Sequence, residues 1–259
     1  MSDLVVGPLS AFASSASWRP QPDDPRFAMV NARLLLYRSA VLGGDDSDDP
    51  VLRAAAVSRL GQRNAKLLEA VTARRAAAMR ALGNVRTLVL RIEGAVVTGT
   101  GAGAIRDVGI ELHGTYGWPI LPGSSLKGVA REYARQIGTP YTEIFGSAPE
   151  EEPQLPGSVT FFDALPSAAG VEVAVHTMTP HTRGYRSAVD AGQGPAAPGE
   201  HINPIPINFL VAAGGTFVAH LSGPPEDVEI AAGLLSKAVY DLGVGAKTAA
   251  GYGYLTEQR

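Results

Sequence analysis

Apolar and polar residues alternate most regularly in residues 87–97, TLVLRIEGAVV. Leu88, Leu90 and Ile92 occupy every second position, so the pattern predicts a strand with one buried face. Shorter apolar runs predict further strands. These lie at residues 34–37, 109–114, 158–164, 171–177, 206–213, 216–222 and 249–255.

Apolar residues recur near the helical period in three other segments. The Ala-rich segment 50–82 predicts a long helix, or two helices interrupted at Gly61. Segment 125–137 predicts a second helix, which a serine at its start can cap. The third predicted helix covers residues 226–241, and the proline and acidic residues before and within its first turn favour a helix N-terminus.

Without the insertions, these elements follow in the order strand, helix, strand, strand, helix, strand. The strands are 87–97, 158–164, 216–222 and 249–255, and the helices are 125–137 and 226–241. This βαββαβ order predicts an α+β fold with a ferredoxin-like (RRM-like) core, in which both helices cover one face of an antiparallel sheet. The other face would be free, and such free faces commonly bind RNA.

The pattern divides the chain after residue 84. Residues 1–84 contain a loosely ordered N-terminal arm, a short strand and the basic, Ala-rich helical segment, which is a long helical insertion relative to the core. Residues 85–259 contain the ferredoxin-like core with two insertions, 99–121 and 168–213. The second insertion is rich in Gly and Pro, and we expect it to project from the core.

Composition narrows the function classes. The 259 residues are 45% apolar and 18% charged and include no cysteine, as expected for a globular protein without disulfides or thiolate metal sites. The sequence has neither a leader pattern nor an apolar run that could cross a membrane, so we expect a cytoplasmic protein without a membrane partner. The net charge is −3. Nine basic residues and one acidic residue nevertheless lie between Arg53 and Arg91, which indicates RNA or an acidic neighbour as a partner.

The segment GSSLKG, residues 123–128, opens the second predicted helix. Unpaired amides and a partial positive charge at a helix N-terminus attract anions, and Gly123, Ser124, Ser125 and Lys127 add backbone access, hydroxyls and an ammonium group. The segment therefore predicts a phosphate site. The alternative is that Ser124 only caps the helix and that Lys127 is solvated.

A second phosphate site is predicted in GVGAKT, residues 243–248. The spacing is not that of an NTPase phosphate loop, because alanine precedes the lysine and a strand follows. Gly243 and Gly245 still let backbone amides approach an anion, to which Lys247 and Thr248 add a charge and a hydroxyl. The alternative is a tight helix-to-strand connection that needs glycine for its backbone angles.

The sequence indicates catalytic and cofactor sites less clearly than it indicates the two phosphate sites. The GTGAGA loop at residues 99–104 lacks the following helix that a dinucleotide site requires. His176 and His181 do not have the spacing of zinc ligands, and we expect neither a metal nor another cofactor. Asp163 and His176 could form an acid/base pair for RNA cleavage, but we favour hydrogen-bonded structural roles for both.

Four stretches, in this order, span most of the chain: NARLLLYR; GIELHGTYGWPILPGSSLKGVAREY; VTFFDALP with HTMTPHTRGYRSA and NPIPINFLVAAGGTFVAHL; and DLGVGAKTAAGYGYL. In sequence, order and approximate spacing they resemble the repeat-associated mysterious protein (RAMP) superfamily of CRISPR effector subunits. The resemblance is strongest to the family of sixth subunits of type III-B (Cmr) complexes. Members often have an acidic residue near the position of His176 and two aromatic residues after TPH, where this chain has only Tyr185.

The resemblance implies a ferredoxin-like, non-catalytic, RNA-binding subunit of a type III-B CRISPR (Cmr) ribonucleoprotein complex in antiviral defence. It implies contacts to guide RNA near its 3′-end and to target RNA, with the backbone RAMP subunit, the small helical subunit and the first RAMP subunit as neighbours. The RNA-contact candidates that it supports are Gly123, Ser124, Ser125, Lys127, Arg131, Gly243, Gly245, Lys247 and Thr248 and, in the second insertion, Arg183, Tyr185 and Arg186.

Two other functions remain open. A guide-RNA-processing endoribonuclease of the same superfamily would share the core and the terminal glycine loop, and it would cleave repeat RNA through His176 or His181. A nucleotide-binding enzyme would bind ATP or NAD as the isolated protein. We expect neither activity.

Overall fold

The computed structural model describes residues 4–6, 31–38, 40–42, 62, 64–100, 110–139, 141–147, 153–179, 189, 191–192 and 206–258. In chain order the elements are β1 (Leu4–Val6), α1 (Ala32–Arg38), β2 (Ala40–Leu42), α2 (Ala65–Leu82), β3 (Val85–Ile92), α3 (Gly123–Gln136), α4 (Thr142–Phe145), β4 (Thr160–Phe161), β5 (Leu165–Met178), β6 (Ile207–Ser222), α5 (Pro225–Asp241) and β7 (Leu255–Gln258). A short 3-10 turn, Thr248–Ala250, precedes β7. The mixture of helices with antiparallel sheet confirms the predicted α+β class.

Five strands form the main sheet, and every neighbouring pair is antiparallel. Four of them lie in the order β4–β6–β3–β7, and β5 also pairs with β6. The register sets Leu88 opposite Ala219 and Leu90 opposite Phe217, and all four side chains are fully buried. The predicted buried face of residues 87–97 is therefore correct. β1 and β2 form a separate two-stranded ladder.

Helices α3 and α5 bury their apolar sides in one core with this face of the sheet. Leu126 and Ala130 of α3 and Leu235 of α5 are fully buried in the same cluster as Leu88 and Phe217. Removing this apolar surface from water is the main favourable term that holds helices and sheet together. Predicted helix 125–137 is thus confirmed, with observed bounds two residues earlier at the start.

Helix α2 covers part of the opposite sheet face, so the expectation of a free face is wrong there. Arg75 of α2 donates a hydrogen bond to the Asp163 carbonyl beside the sheet, and Leu68 and Val71 pack on Trp118. The helix begins after Asn64, whose side-chain oxygen accepts from the Leu67 amide at 3.1 Å. Predicted helix 50–82 is confirmed from Ala65 onwards, whereas Gln62 lies in a turn and Asn64 precedes the helix. Residues 50–61, with the possible break at Gly61, and residue 63 lie outside the described residues.

The predicted strand at residues 34–37 is wrong, because these residues lie in α1. The Asn31 side-chain oxygen accepts a hydrogen bond from the Arg33 amide at 2.9 Å, as helix-starting residues do. Ala32 and Leu36 are buried one helical turn apart, whereas Leu34 between them is 51% exposed. A short apolar run by itself does not distinguish a strand from a helix.

Several other predicted strands have different bounds. In predicted strand 109–114, of which residues 110–114 are described, Leu112 makes an isolated bridge and no strand forms. Predicted strand 158–164 shrinks to β4. The segments 206–213 and 216–222 are one continuous strand, β6, which bends at Gly214 and Gly215 where its register with β5 shifts. Segment 168–213 therefore begins in β5 and ends in β6. Strand 249–255 is also wrong in most of its length, since β7 begins only at Leu255.

Candidate nucleic-acid interface

The first turn of α3 is capped by a carboxylate rather than by a serine. Pro122 is the N-cap residue, and neither Ser124 nor Ser125 makes a capping hydrogen bond. The Gly123 amide instead donates to Asp163 Oδ1 at 2.8 Å. The expected serine cap is therefore wrong. An anionic cap already compensates part of the positive end of the helix, so this terminus attracts phosphate less than the sequence suggests.

Gly123 has a packing reason to be glycine. A Cβ atom at this position would lie 2.1 Å from the Phe161 carbonyl oxygen, because the start of α3 lies directly on β4. Gly128, one turn later, would meet no atom within 4 Å. Only the first of the two glycines that flank the serines is thus required by the protein's own packing.

The terminal glycine loop has the geometry of a tight helix-to-strand connection. Gly243 and Gly245 have φ angles of 74° and 91°, which favour glycine. A Cβ atom on Gly245 would lie 2.2 Å from the Val97 carbonyl oxygen. The Ala246 amide donates to this same oxygen at 2.8 Å, whereas the amides of Gly245 and Lys247 donate no hydrogen bond within the described part of the chain. These two amides remain available to a ligand.

Three glycine-containing segments line one groove of about 620 Å³. Its walls are formed by residues 98–100, by the side of α3 that contains Ser125, and by the loop after α5. Of the predicted RNA-contact residues, the groove brings together Ser125, Gly243, Gly245 and Thr248. Glu132 is the single charged side chain among the described residues of the lining. Hydrogen bonds from Arg135 and Gln136 lower the pKa of Glu132 to about 2, so its carboxylate is ionised at neutral pH.

The predicted basic residues of α3 do not line this groove, because positions 127 and 131 lie on a different face of the helix from positions 125, 128, 129 and 132. Lys127 and Arg131 are one helical turn apart and share a face of α3. Arg131 Nη1 donates to the Ser147 carbonyl at 3.4 Å, which turns the guanidinium towards the segment after α4. Ser124 is exposed at the start of the same helix. Gly123 is buried on β4, as described above.

Lys247 points towards a cluster of rings on the β5–β6 hairpin. Its backbone is left-handed, with φ of 63°, and its Nζ atom lies 5.4 Å from the centre of the Phe209 ring and 3.4 Å from Met178 Sδ. Tyr252 and His176 complete the cluster, joined by a 3.1 Å hydrogen bond between the Tyr252 hydroxyl and His176 Nδ1. We name these four side chains, Lys247, Phe209, Tyr252 and His176, the ring cluster.

Sequence reasoning missed Phe209 and Tyr252 as members of this site. Phe209 stands directly opposite His176 in the register of β5 and β6, and a pairing of two separate predicted strands could have suggested it. Asp163 and His176 have different partners, the start of α3 and Tyr252 respectively. Both residues make hydrogen bonds within the fold, and the structural roles that we favour for them stay a prediction.

Residues 89–256, well over half of the chain, match the family described as RAMPs, the RAMP superfamily. The chain belongs to the RAMP superfamily. One relative of this RAMP protein is the CRISPR system Cmr subunit Cmr6 of Pyrococcus furiosus, with 29% identity over 222 residues. The match covers 62% of this chain and 65% of that relative, so the chain spans slightly less than two thirds of its length.

Solved structures with a similar chain include the crystal structure of Cmr6 from Pyrococcus furiosus. It has 26% identity and a TM-score of 0.42, covering 67% of this chain and 98% of that one. A chain in the cryo-EM structure of the type III-B Cmr-beta bound to cognate target RNA has 18% identity and a TM-score of 0.58. That match covers 97% of the RAMP protein described here and 86% of the other chain, which indicates a shared fold.

Two arginines of the basic helix α2 of this RAMP protein have intramolecular partners. Arg74 Nη2 donates to the Tyr116 hydroxyl, and Arg75 Nη2 donates to the Asp163 carbonyl. Burial lowers the pKa of Arg75, and the nearby Asp163 carboxylate partly opposes this shift. Some of the basic side chains between residues 53 and 91 therefore make contacts within the protein. Lys66 and Arg80 on the same helix are exposed.

The remaining candidates of the RAMP protein fall outside what the structure describes. Arg183, Tyr185 and Arg186, together with His181, lie outside the described residues. Within the described part of the chain, no three His, Asp or Glu side chains come together as metal ligands would. Helices long and apolar enough to span a bilayer are also absent from that part.

Proposed function

We propose that this RAMP protein is a non-catalytic, RNA-binding subunit of a type III-B CRISPR (Cmr) ribonucleoprotein complex, acting in the cytoplasm in antiviral defence. Its similarity to Cmr6 supports membership of such a complex. The observation that carries the RNA-binding role is the convergence of three glycine-containing segments on one groove. Two of these segments, 123–128 and 243–248, are the separately predicted phosphate sites, and residues of both line this single surface.

The proposal includes a ferredoxin-like core. The elements β3, α3, β4, β6, α5 and β7 follow one another as βαββαβ, and their sheet order β4–β6–β3–β7 is the one that this arrangement requires. The strand β5 and the long β6 extend the sheet as a hairpin, and α2 is added on the other face. The groove lies between α3 and the loop that follows α5.

The groove would hold the sugar-phosphate backbone of RNA. Uncharged donors line it, including the Ser125 and Thr248 hydroxyls and the free amide of Gly245, and such donors bind phosphate oxygens without reading sequence. Lys247 stands between two lining residues of the groove, Ala246 and Thr248, and adds charge that phosphates need. Lys127 and Arg131, on another face of α3, would contact RNA that continues past the start of this helix. The ionised Glu132 in the lining would repel phosphate but accept hydrogen bonds from ribose 2′-hydroxyls, which distinguish RNA from DNA.

In this proposal the guide RNA is contacted near its 3′-end, target RNA pairs with the guide close by, and the backbone RAMP subunit, the small helical subunit and the first RAMP subunit are neighbours. Purification of the tagged chain after coexpression with its sibling subunits tests this. We expect a defined small RNA and the siblings to copurify at fixed stoichiometry. Recovery of the chain alone, under conditions in which the siblings assemble with RNA, would contradict the proposal.

A second candidate function is a guide-RNA-processing endoribonuclease. One observation favours it: the ring cluster sets the His176 imidazole against the Tyr252 hydroxyl at 3.1 Å, with the Lys247 ammonium on the same cluster. Such groups can act as general acid and base in RNA cleavage. Single-turnover incubation with repeat RNA decides between the two functions. Cleavage that is lost in His176→Ala would establish the nuclease and exclude the non-catalytic proposal.

A further inference from the structure

A cavity of about 350 Å³ lies between α2 and the sheet, on the side away from α3 and α5. Val71, Arg75 and Met79 of α2 form one wall, and Thr87, Val218 and His220 of β3 and β6 form the other. Trp118 closes one side. The cavity and the RNA groove share no lining residue, so nothing proposed above for RNA uses this space.

The described residues of the lining are largely apolar and include basic but no acidic side chains, although the Asp163 carboxylate lies near Arg75 outside the lining. Of the described lining residues, Arg75 and Arg80 are basic and none is acidic. Apolar walls with a few convergent polar groups are typical of sites for small molecules. Valine, methionine and tryptophan side chains favour an aliphatic or aromatic body, and the arginines favour an anionic group on it.

Arg75 has an unused donor at this place. Its Nη2 atom donates to the Asp163 carbonyl, but its Nε atom is buried and has no hydrogen-bond partner in the described part of the chain. Buried donors in folded proteins almost always have partners, so an unpaired guanidinium nitrogen beside a cavity is unusual. A ligand oxyanion in the cavity would supply the opposite charge and, once the guanidinium turns Nε towards the cavity, an acceptor as well.

The polar group opposite is a neutral histidine. His220 is 5% exposed and its Nδ1 atom lies 3.0 Å from the Thr87 hydroxyl oxygen. Burial lowers the pKa of His220 to about 4, and Arg75 contributes in the same direction. At neutral pH the floor of the cavity therefore adds no charge, and Arg75 is the cation nearest to a ligand that enters between α2 and the sheet.

We propose that this cavity binds a small apolar or aromatic oxyanion, a carboxylate or a phosphate monoester, whose charged group pairs with Arg75. The hydrophobic body would lie between Met79, Val218 and Trp118. The site is independent of the proposed RNA groove, so each proposal can fail without the other.

Fluorescence titration of the full chain with 8-anilinonaphthalene-1-sulfonate, an aromatic oxyanion, tests the site. Its neutral relative N-phenyl-1-naphthylamine has the same ring system without the sulfonate. We expect Arg75→Met to weaken binding of the sulfonate about tenfold and that of the neutral probe less than twofold. The matched control is Arg74→Met, because Arg74 is the adjacent arginine but does not line the cavity. It should change neither affinity.

Met79→Trp provides a second test that leaves Arg75 intact. The larger side chain should fill the cavity and weaken both probes, while RNA binding stays unchanged. Benzoate or phenyl phosphate should displace the sulfonate, and the better competitor identifies the preferred oxyanion. Unchanged sulfonate affinity in Arg75→Met, an equal loss in Arg74→Met, undiminished binding in Met79→Trp or failure of both competitors would each overturn the proposal.

Discussion

The glycines near the groove differ in how strictly the fold requires glycine at their positions. Gly245 has a left-handed φ of 91°, and a Cβ atom there would lie 2.2 Å from the Val97 carbonyl. Gly128 lies inside α3 in open space and has no such constraint. Backbone geometry therefore requires glycine at position 245, whereas at position 128 no neighbouring atom excludes a side chain.

The two positions predict opposite effects of alanine. Gly245→Ala should lower the free energy of unfolding by about 2–4 kcal/mol, because it adds left-handed strain to a steric clash. Gly128→Ala should raise it by about 0.5–1 kcal/mol, since alanine is the better helix former. Urea denaturation of both variants measures these changes. A destabilised Gly128→Ala variant would show that this helix surface is not open.

Lys127 and Lys247, the lysines of the two predicted phosphate segments, predict a sequence-independent effect on RNA affinity. Lys127→Ala and Lys247→Ala should each weaken binding of any guide sequence to a similar extent and reduce the slope of log affinity against log salt by about one unit. Lys237→Ala is the matched control, because Lys237 is exposed on α5 and lies in neither of the two predicted phosphate segments. Filter binding at several salt concentrations measures both quantities. Unchanged slopes in both test variants would refute the phosphate contacts.

At the scale of elements, the start of α3 depends on a residue distant in sequence. Asp163 lies 40 residues after Gly123 and accepts its amide hydrogen bond. The serines next to Gly123 satisfied the sequence rule for helix caps, yet they do not cap. The helix begins at Gly123, before both serines, so they lie inside the first turn and not at the cap position, while Asp163 accepts from the Gly123 amide.

This difference predicts the outcome of two substitutions. Asp163→Ala should lower the free energy of unfolding by about 1–2 kcal/mol, because an N-terminal amide of α3 loses its acceptor. Ser124→Ala should change it by less than about 0.5 kcal/mol, as for an exposed side chain without a capping role. Thermal unfolding of the two variants compares the caps directly. A larger loss of stability in Ser124→Ala than in Asp163→Ala would show that Ser124 caps the helix after all.

The packing of α2 on the sheet predicts a pH dependence. The pKa of His220 is about 4 in the folded state and about 6.5 in an unfolded chain, so below pH 6.5 the unfolded state binds the proton more readily. The stability contribution of neutral His220 is therefore complete above pH 6.5 and is lost as the pH falls towards 4. His113, whose pKa is also lowered, chiefly by burial, adds a change of the same sign.

His220→Gln should reduce this loss of stability at acid pH. We expect the decrease in unfolding free energy between pH 6.5 and pH 4 to be smaller than in the natural chain by about 1–3 kcal/mol, with the rest due to His113 and the carboxylates. Glutamine can keep a hydrogen bond to Thr87. Denaturation curves at several pH values provide the measurement, and two parallel stability profiles would contradict the assigned role of His220.

At the scale of the whole molecule, the sequence predicted the periodic elements better than their connections. Leu88, Leu90 and Ile92 have the predicted common face, and the second and third helices are in place. The helix at 34–37 and the continuity of β6 through Gly214 and Gly215 were not predictable from local pattern. Both depend on tertiary contacts: α1 packs its buried residues into the core, and β6 keeps its pairing with β3 and β5.

Contacts seen in the groove were predictable only in part. Glycine and hydroxyl positions in two separate segments predicted Ser125, Gly243, Gly245 and Thr248 as phosphate contacts, and the structure places these four residues in one groove. The sequence did not predict that the two segments meet. The direction of Lys247 towards Phe209 was not predictable, because it follows from a left-handed backbone that positions the side chain across the loop. Phosphate contact by all of these residues stays a prediction.

The coverage of the sheet by α2 predicts that residues 85–259 do not form an independent unit. Trp118 is 1% exposed and packs on Leu68 and Val71, so a chain beginning at residue 85 would expose it. We expect a lower unfolding temperature and red-shifted tryptophan fluorescence for that chain, but not for one beginning at residue 62. Equal unfolding temperatures of the two shortened chains would support the division after residue 84.

Asp163 uses two different oxygens to touch both layers of the protein. Its carboxylate holds the first amide of α3 on one side of the sheet, and its carbonyl receives Arg75 from α2 on the other side. A displacement of α2, by a docked molecule or a neighbouring chain, would therefore act on the residue that holds the start of α3. The two surfaces for which binding is proposed are thus connected through one amino acid.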